Sequence, residues 1–151
     1  MPPKKFPLQS LLDLSNLHLD EAARRLGDLV HGEQQATQRL ELLVQYRDEY
    51  HTRFLEAARG GLAPDQWRNF QSFLDRLDSA IAQARELVAQ SRERKAVGQQ
   101  AWLDKRGRVK AFDTLATRHQ ARVEYAEQRR EQKIQDEHSA RRHRDKSEEP
   151  D

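Results

Sequence analysis

The sequence contains no cysteine, so neither a disulfide framework nor a thiolate metal site can form, and the chain is indifferent to the redox state of its compartment. Backbone punctuation is sparse, with six glycines and five prolines in 151 residues. Nowhere does an apolar run approach the roughly 18 residues that a membrane-spanning helix needs. The start, Met1-Pro2-Pro3-Lys4-Lys5-Phe6-Pro7, carries positive charge without a following apolar stretch of signal-peptide length, so the expectation is a chain neither secreted by that route nor spanning a membrane. Catalytic signals are missing too. Gly27, Gly32, Gly98 and Gly107 stand singly rather than in a phosphate-cradling loop, and the histidines are scattered. Asp136-Glu137-His138 brings possible ligands together, but a zinc site wants three or four converging groups and a second shell.

Present instead are 36% apolar and 34% charged residues, too little hydrophobic volume for a rounded core and enough for a narrow seam. Apolar residues recur every three and four positions. The first seam reads Leu8, Leu12, Ser15, Leu19, Ala22, Leu26, Leu29, Glu33, Ala36, Leu40, Leu43, Arg47, Tyr50, Phe54 and Ala57. The second reads Trp67, Phe70, Leu74, Leu77, Ile81, Ala84 and Val88, weakens at Ser91, Lys95 and Gly98, and recovers at Trp102, Val109, Phe112, Ala116 and Val123. A repeat of this period predicts an all-α fold of two long helices with left-handed supercoil.

A single break, Arg59-Gly60-Gly61-Leu62-Ala63-Pro64, separates the two seams. Pro7 suits the first turn of helix one, Gly60-Gly61 supplies the left-handed backbone that closes it, and Pro64 with Asp65 opens helix two. A connection of about four to six residues makes the helices antiparallel neighbours. The expected organisation is one coiled-coil hairpin over 1–145, with helix 8–58, turn 59–64 and helix 64–142, followed by a disordered acidic tail, 146–151. At about 1.5 Å per residue the helices would span roughly 75 and 120 Å. Leu8 would then face residue 114 or 115, leaving an unpaired basic C-terminal overhang of some 40 Å on helix two, either frayed or held by a partner.

Charge is uneven. Lys and Arg number 11 against 13 Asp and Glu over 1–91, 16 against 9 over 92–146, and three acids close the chain, giving −2, +7 and −3. Pairs such as Asp104 with Arg108 can absorb some of this at i, i+4. They cannot consume a surplus of seven, which an acidic protein surface, nucleic acid or an anionic membrane could meet. A hairpin of this kind offers no water-excluding pocket for acid–base chemistry. The expectation is a protein that binds rather than catalyses, with no cofactor and no metal.

One stretch carries more apolar surface than a two-stranded seam needs. With Leu40 and Leu43 at a and d, Tyr46 falls at g; with Leu74 and Leu77 at a and d, Phe73 and Ala80 fall at g. Antiparallel pairing brings Tyr46 near Leu77 and Tyr50 near Phe73, close to the hairpin tip. Leu77 and Tyr50 are seam positions, whereas Tyr46 and Phe73 read as an exposed recognition patch, since gathered surface aromatics serve as binding anchors.

Ala22-Ala23-Arg24-Arg25-Leu26-Gly27, Tyr46-Arg47-Asp48-Glu49-Tyr50, Trp67-Arg68-Asn69-Phe70-Gln71-Ser72-Phe73-Leu74 and the distal Arg129-Arg130-Glu131-Gln132-Lys133-Ile134-Gln135-Asp136-Glu137 together resemble the FliJ family of the bacterial flagellum. The resemblance covers 4–145 and implies a cytoplasmic component of the flagellar type III export apparatus, peripheral to the inner membrane at the flagellar base. It further implies a rod like the stalk of rotary ATPases, which inserts into the export ATPase hexamer, presents its hairpin to the cytoplasmic domain of the export gate protein, and escorts export chaperones. The family's gate-binding surface maps onto Leu43, Tyr46, Tyr50, Phe73, Leu77 and Ala80. Arg129, Arg130 and Lys133 fall where the ATPase ring would be met. Ala84 replaces a histidine of the family pattern and Arg39 a glutamine, so the rim of the gate surface is altered here.

The resulting expectation is an export-machinery adaptor with no nucleic-acid partner. The alternatives are a nucleic-acid-binding coiled coil, which would lay its basic helix along phosphates, and a plain dimerising coiled coil. Against the first, Glu124, Glu127, Glu131, Asp136 and Glu137 interleave with the cations, and no aromatic platform for bases is present.

Overall fold

The computed structural model describes residues 3–148. The chain is all-α, with α1 at Gln9–Arg59 and α2 at Pro64–Glu148, and the described residues contain no strand. It divides into two compact units, Asp20–Asp104 and Met1–Leu19 with Lys105–Asp151. A thin seam gives each level contacts only with its immediate neighbours.

In the Asp20–Asp104 unit the helices pair antiparallel. Going down α1, Arg47 meets Asp78, Glu33 meets Lys95 and Leu29 meets Gly98, so partner numbers rise as α1 numbers fall. The turn between them follows the punctuation. Gly61 takes a φ of 87°, a left-handed conformation that glycine adopts without a Cβ penalty, and its N–H donates to the Ala58 carbonyl at 3.2 Å. The Ala63 N–H donates to Oε1 of Gln66 at 3.3 Å, half of a capping box at the start of α2. Phe54, Leu74, Leu77, Ile81, Ala84 and Val88 are buried, each at a seam position. No side chain in the described chain is fully enclosed, as a seam one residue thick requires. Burying an aliphatic side chain of this size stabilises by about 1.5–3 kcal/mol, so the hairpin is held by many comparable layers.

The charged seam residues of this unit are paired across the helices. Lys95 Nζ lies 2.6 Å from Oε2 of Glu33, and Arg92 Nε lies 3.7 Å from Oε1 of the same carboxylate. Trp67, expected in the seam, is half exposed and touches Phe54 at a centroid distance of 5.1 Å; beside the turn, α1 has no further residue to cover its other face.

In the second unit, Leu12, Val109 and Val123 are buried together with His119. His119, Lys105 and Ala126 continue the heptad of α2 and are buried or half-buried, although polarity at two of them hides the repeat. The expectation that α2 lacks a partner beyond residue 114 or 115 is overturned. The Phe6 ring lies 5.7 Å from the His119 ring, and Lys4 Nζ reaches 3.9 Å from Oε1 of Glu127. Residues 3–8 are non-helical, and extended chain advances up to about 3.3–3.6 Å per residue against 1.5 Å in a helix. A short strap therefore covers more of α2 than the same residues could as helix. From Glu127 to Glu148 every residue is exposed.

That final stretch is α-helical to its end, rather than frayed from residue 116 or stopping at 142. Of the expected disordered tail, 146–148 close the helix, with Ser147 Oγ donating to the Arg144 carbonyl at 2.8 Å; 149–151 lie outside the described residues. Asp104 accepts a hydrogen bond from Gln100 at 3.0 Å rather than pairing with Arg108.

Candidate interaction site

Antiparallel pairing interleaves aromatic rings from both helices into one continuous ladder near the turn. Tyr46 meets Phe73 edge-on at 6.2 Å, Phe73 meets Tyr50 at 4.4 Å, Tyr50 meets Phe70 at 5.3 Å, Phe70 meets Phe54 at 5.4 Å and Phe54 meets Trp67 at 5.1 Å. Tilted and edge-to-face contacts match the ring quadrupoles, contributing about 0.5–1.5 kcal/mol each beyond area burial. The ladder therefore holds its outermost ring in a defined orientation.

That ring is Tyr46, which stays 49% exposed. Tyr50 and Phe73 are half-buried, as are Leu43 and Ala80, while Leu77 is only 7% exposed and belongs to the seam. Of the six residues assigned to this surface, Tyr46 is the one that offers most of its side chain to a partner; Leu77 offers almost none. Sequence reasoning placed Phe54 and Phe70 in the seam without seeing that they brace the patch. It also passed over Leu42, which is 66% exposed one helical turn before Tyr46. The i, i+4 spacing of Leu42 and Tyr46 was a usable signal.

Next to the patch, Arg47 Nε donates to Oδ1 of Asp78 across the seam at 2.5 Å. The hydrogen bond and the charge of Asp78 raise the Arg47 pKa above its ordinary value, so the guanidinium stays charged. This crosslink anchors the helix-to-helix offset at the level of Tyr46.

The second candidate surface, in the other unit, lies on the exposed end of α2. Arg129, Arg130 and Lys133 are all exposed there. Arg129 stacks over the Tyr125 ring at 5.9 Å and donates to its hydroxyl at 3.4 Å. Local contact of this kind stiffens one cation without consuming its charge. Among the described residues no group of three or more His, Asp or Glu is placed to hold a metal ion, and no helix is long and apolar enough to cross a membrane.

Comparison with known proteins agrees with this architecture. The family described as Flagellar FliJ protein matches residues 4–148. A Flagellar FliJ protein of Salmonella typhi is 35% identical over 134 residues, covering 89% of this chain and 91% of the relative. One from Escherichia coli strain K12 is 33% identical over 134 residues, with the same coverage of each chain.

Proposed function

The chain belongs to the flagellar FliJ family, and from that premise we propose that it is a cytoplasmic, stalk-like component of the flagellar type III export apparatus. In this reading it links the export ATPase hexamer to the cytoplasmic domain of the export gate protein, escorts export chaperones, and meets the inner membrane only peripherally through the apparatus. It carries no chemistry of its own. The observation that carries the reading is the half-exposed Tyr46 held edge-on by Phe73, with Tyr50 behind it. An aromatic anchor already ordered by its neighbours loses little side-chain entropy on binding, which favours affinity.

Leu43, Tyr46, Tyr50, Phe73 and Ala80 form the gate-facing surface in this proposal, with Leu77 supporting it from the seam. Arg129, Arg130 and Lys133, all exposed, supply the positive charge for the ATPase ring. Binding of the purified gate cytoplasmic domain, measured by calorimetry for the wild type and Tyr46→Ala, tests the first contact. Equal affinities would reject it.

The exposed cationic helix supports a nucleic-acid reading as well, and the two differ in salt response. Phosphate binding falls steeply with salt through counterion release and would ignore Tyr46; gate binding depends on Tyr46.

A further inference from the structure

Every seam residue of a coiled coil touches more than one residue of the facing helix, and those neighbours usually differ in chemistry. At several seam positions of the Asp20–Asp104 unit they are alike. Glu33 has Lys95 at 2.6 Å and, three residues earlier on α2, Arg92 at 3.7 Å. Arg47 has Asp78 at 2.5 Å, and Asp75 stands three residues earlier on the same helix. Tyr50 has Phe73 at 4.4 Å and Phe70 at 5.3 Å; Phe54 has Phe70 at 5.4 Å and Trp67 at 5.1 Å. A Cβ on Gly98 would meet Leu29 Cδ1 at 2.5 Å and Leu26 Cδ1 at 3.7 Å, so the gap at this glycine is filled by one leucine with a second alongside.

We propose that this unit has two registers of similar energy, related by a slide of α2 along α1 of about three residues, or roughly 4.5 Å. After the slide Glu33 pairs with Arg92, Arg47 with Asp75, aromatic rings still face aromatic rings, and Gly98 receives Leu26. A shift of half a heptad exchanges a and d positions, so the apolar seam survives it. Other shifts fail on charge. A whole heptad would set Arg47 against Arg85 or Gln71 and Glu33 against Trp102 or Val88, and three residues in the opposite direction would set Arg47 against Ile81 and Glu33 against Gly98. Of these shifts, only the three-residue slide keeps both Glu33 and Arg47 at the level of an opposite charge. Gly60 and Gly61, both exposed, provide the slack that the turn must absorb.

Packed seams are bistable rather than continuously deformable, so a slide of this size is a discrete switch. It carries Phe73 along α1 by the same distance, from beside Tyr50 toward the level of Tyr46, so the aromatic patch has a different geometry in each register. The proposal concerns this chain alone and is tested without any partner, so its failure would leave the gate-binding reading standing.

The absence of cysteine permits spin labels at Gln34→Cys and Ser72→Cys, both on exposed positions. The two sites are offset along the axis, so pulsed electron–electron resonance reads the slide as a distance change. Lys95→Met with Asp78→Asn removes the partners of the present register and leaves Arg92 and Asp75; the label distance should shorten by about 4 Å. Arg92→Gln with Asp75→Asn removes the partners of the alternative register and should leave only the longer distance. Where the first double variant loses helicity by circular dichroism, Asp78→Asn alone, at an exposed position, takes its place and should populate the shorter distance. Identical distance distributions in the two sets of variants would overturn the proposal.

Discussion

Tyr46 on α1 and Phe73 on α2 meet edge to face at 6.2 Å, and the two differ in burial: Tyr46 is 49% exposed while Phe73 is half-buried against Tyr50 at 4.4 Å. A pair with one member in solvent and one in the seam can be separated by mutation. Tyr46→Ala should lower stability by no more than about 1 kcal/mol, the value of one partly exposed aromatic contact. Phe73→Ala removes a ring with contacts on two sides and should cost about 2–3 kcal/mol, toward the low end for a phenylalanine because burial is partial. Denaturant melts decide this, and equal losses for the two variants would contradict the assigned geometry. On the gate domain, Tyr46→Ala should weaken binding by more than about 1 kcal/mol.

Leu77 provides the internal control. At 7% exposure, truncation to alanine should cost about 2–5 kcal/mol through the cavity it leaves. Any loss of gate binding in Leu77→Ala should therefore disappear under conditions that restore full folding, as read by helical circular dichroism at low temperature. Persistent weak binding by the fully folded variant would place Leu77 on the contact surface itself.

The Arg47–Asp78 pair carries a pH signature. Its partner raises the Arg47 pKa, so the arginine's contribution to stability is fully present below its unfolded value and is lost only as pH climbs through the still higher folded value. The difference in unfolding midpoint between wild type and Arg47→Met should accordingly stay constant from about pH 6 to about pH 10, below the ordinary arginine range. It should shrink with added salt, because both groups are partly exposed. A difference that collapses within that pH window would assign the effect to another group.

The strap of residues 3–8 divides the end of α2 into two regions with different exchange behaviour. Removing residues 1–7 should accelerate amide exchange around His119, against which Phe6 packs, and leave 130–148 unchanged, since that stretch is already exposed. Adding the export ATPase should slow exchange in 130–148. Uniform acceleration along the helix on truncation would mean that the strap acts globally rather than as a cover.

Heptad spacing is a local property of the chain, and it was sufficient to determine two helices, the single turn at Gly60-Gly61 and all of the first seam, every member of which is at least half-buried. It could also place Tyr46 off the seam. What it could not determine was any quantity that depends on the offset between the two helices. Which polar seam residues find a partner, as Glu33 does in Lys95, depends on where one helix stops along the other, and no spacing within either helix states that. The strap was illegible for a related reason: its residues have no period, and its reach comes from extended chain covering more length per residue than helix. His119 entered the core because Phe6 lies over it, a contact that only the folded pairing of chain start with distal helix could create.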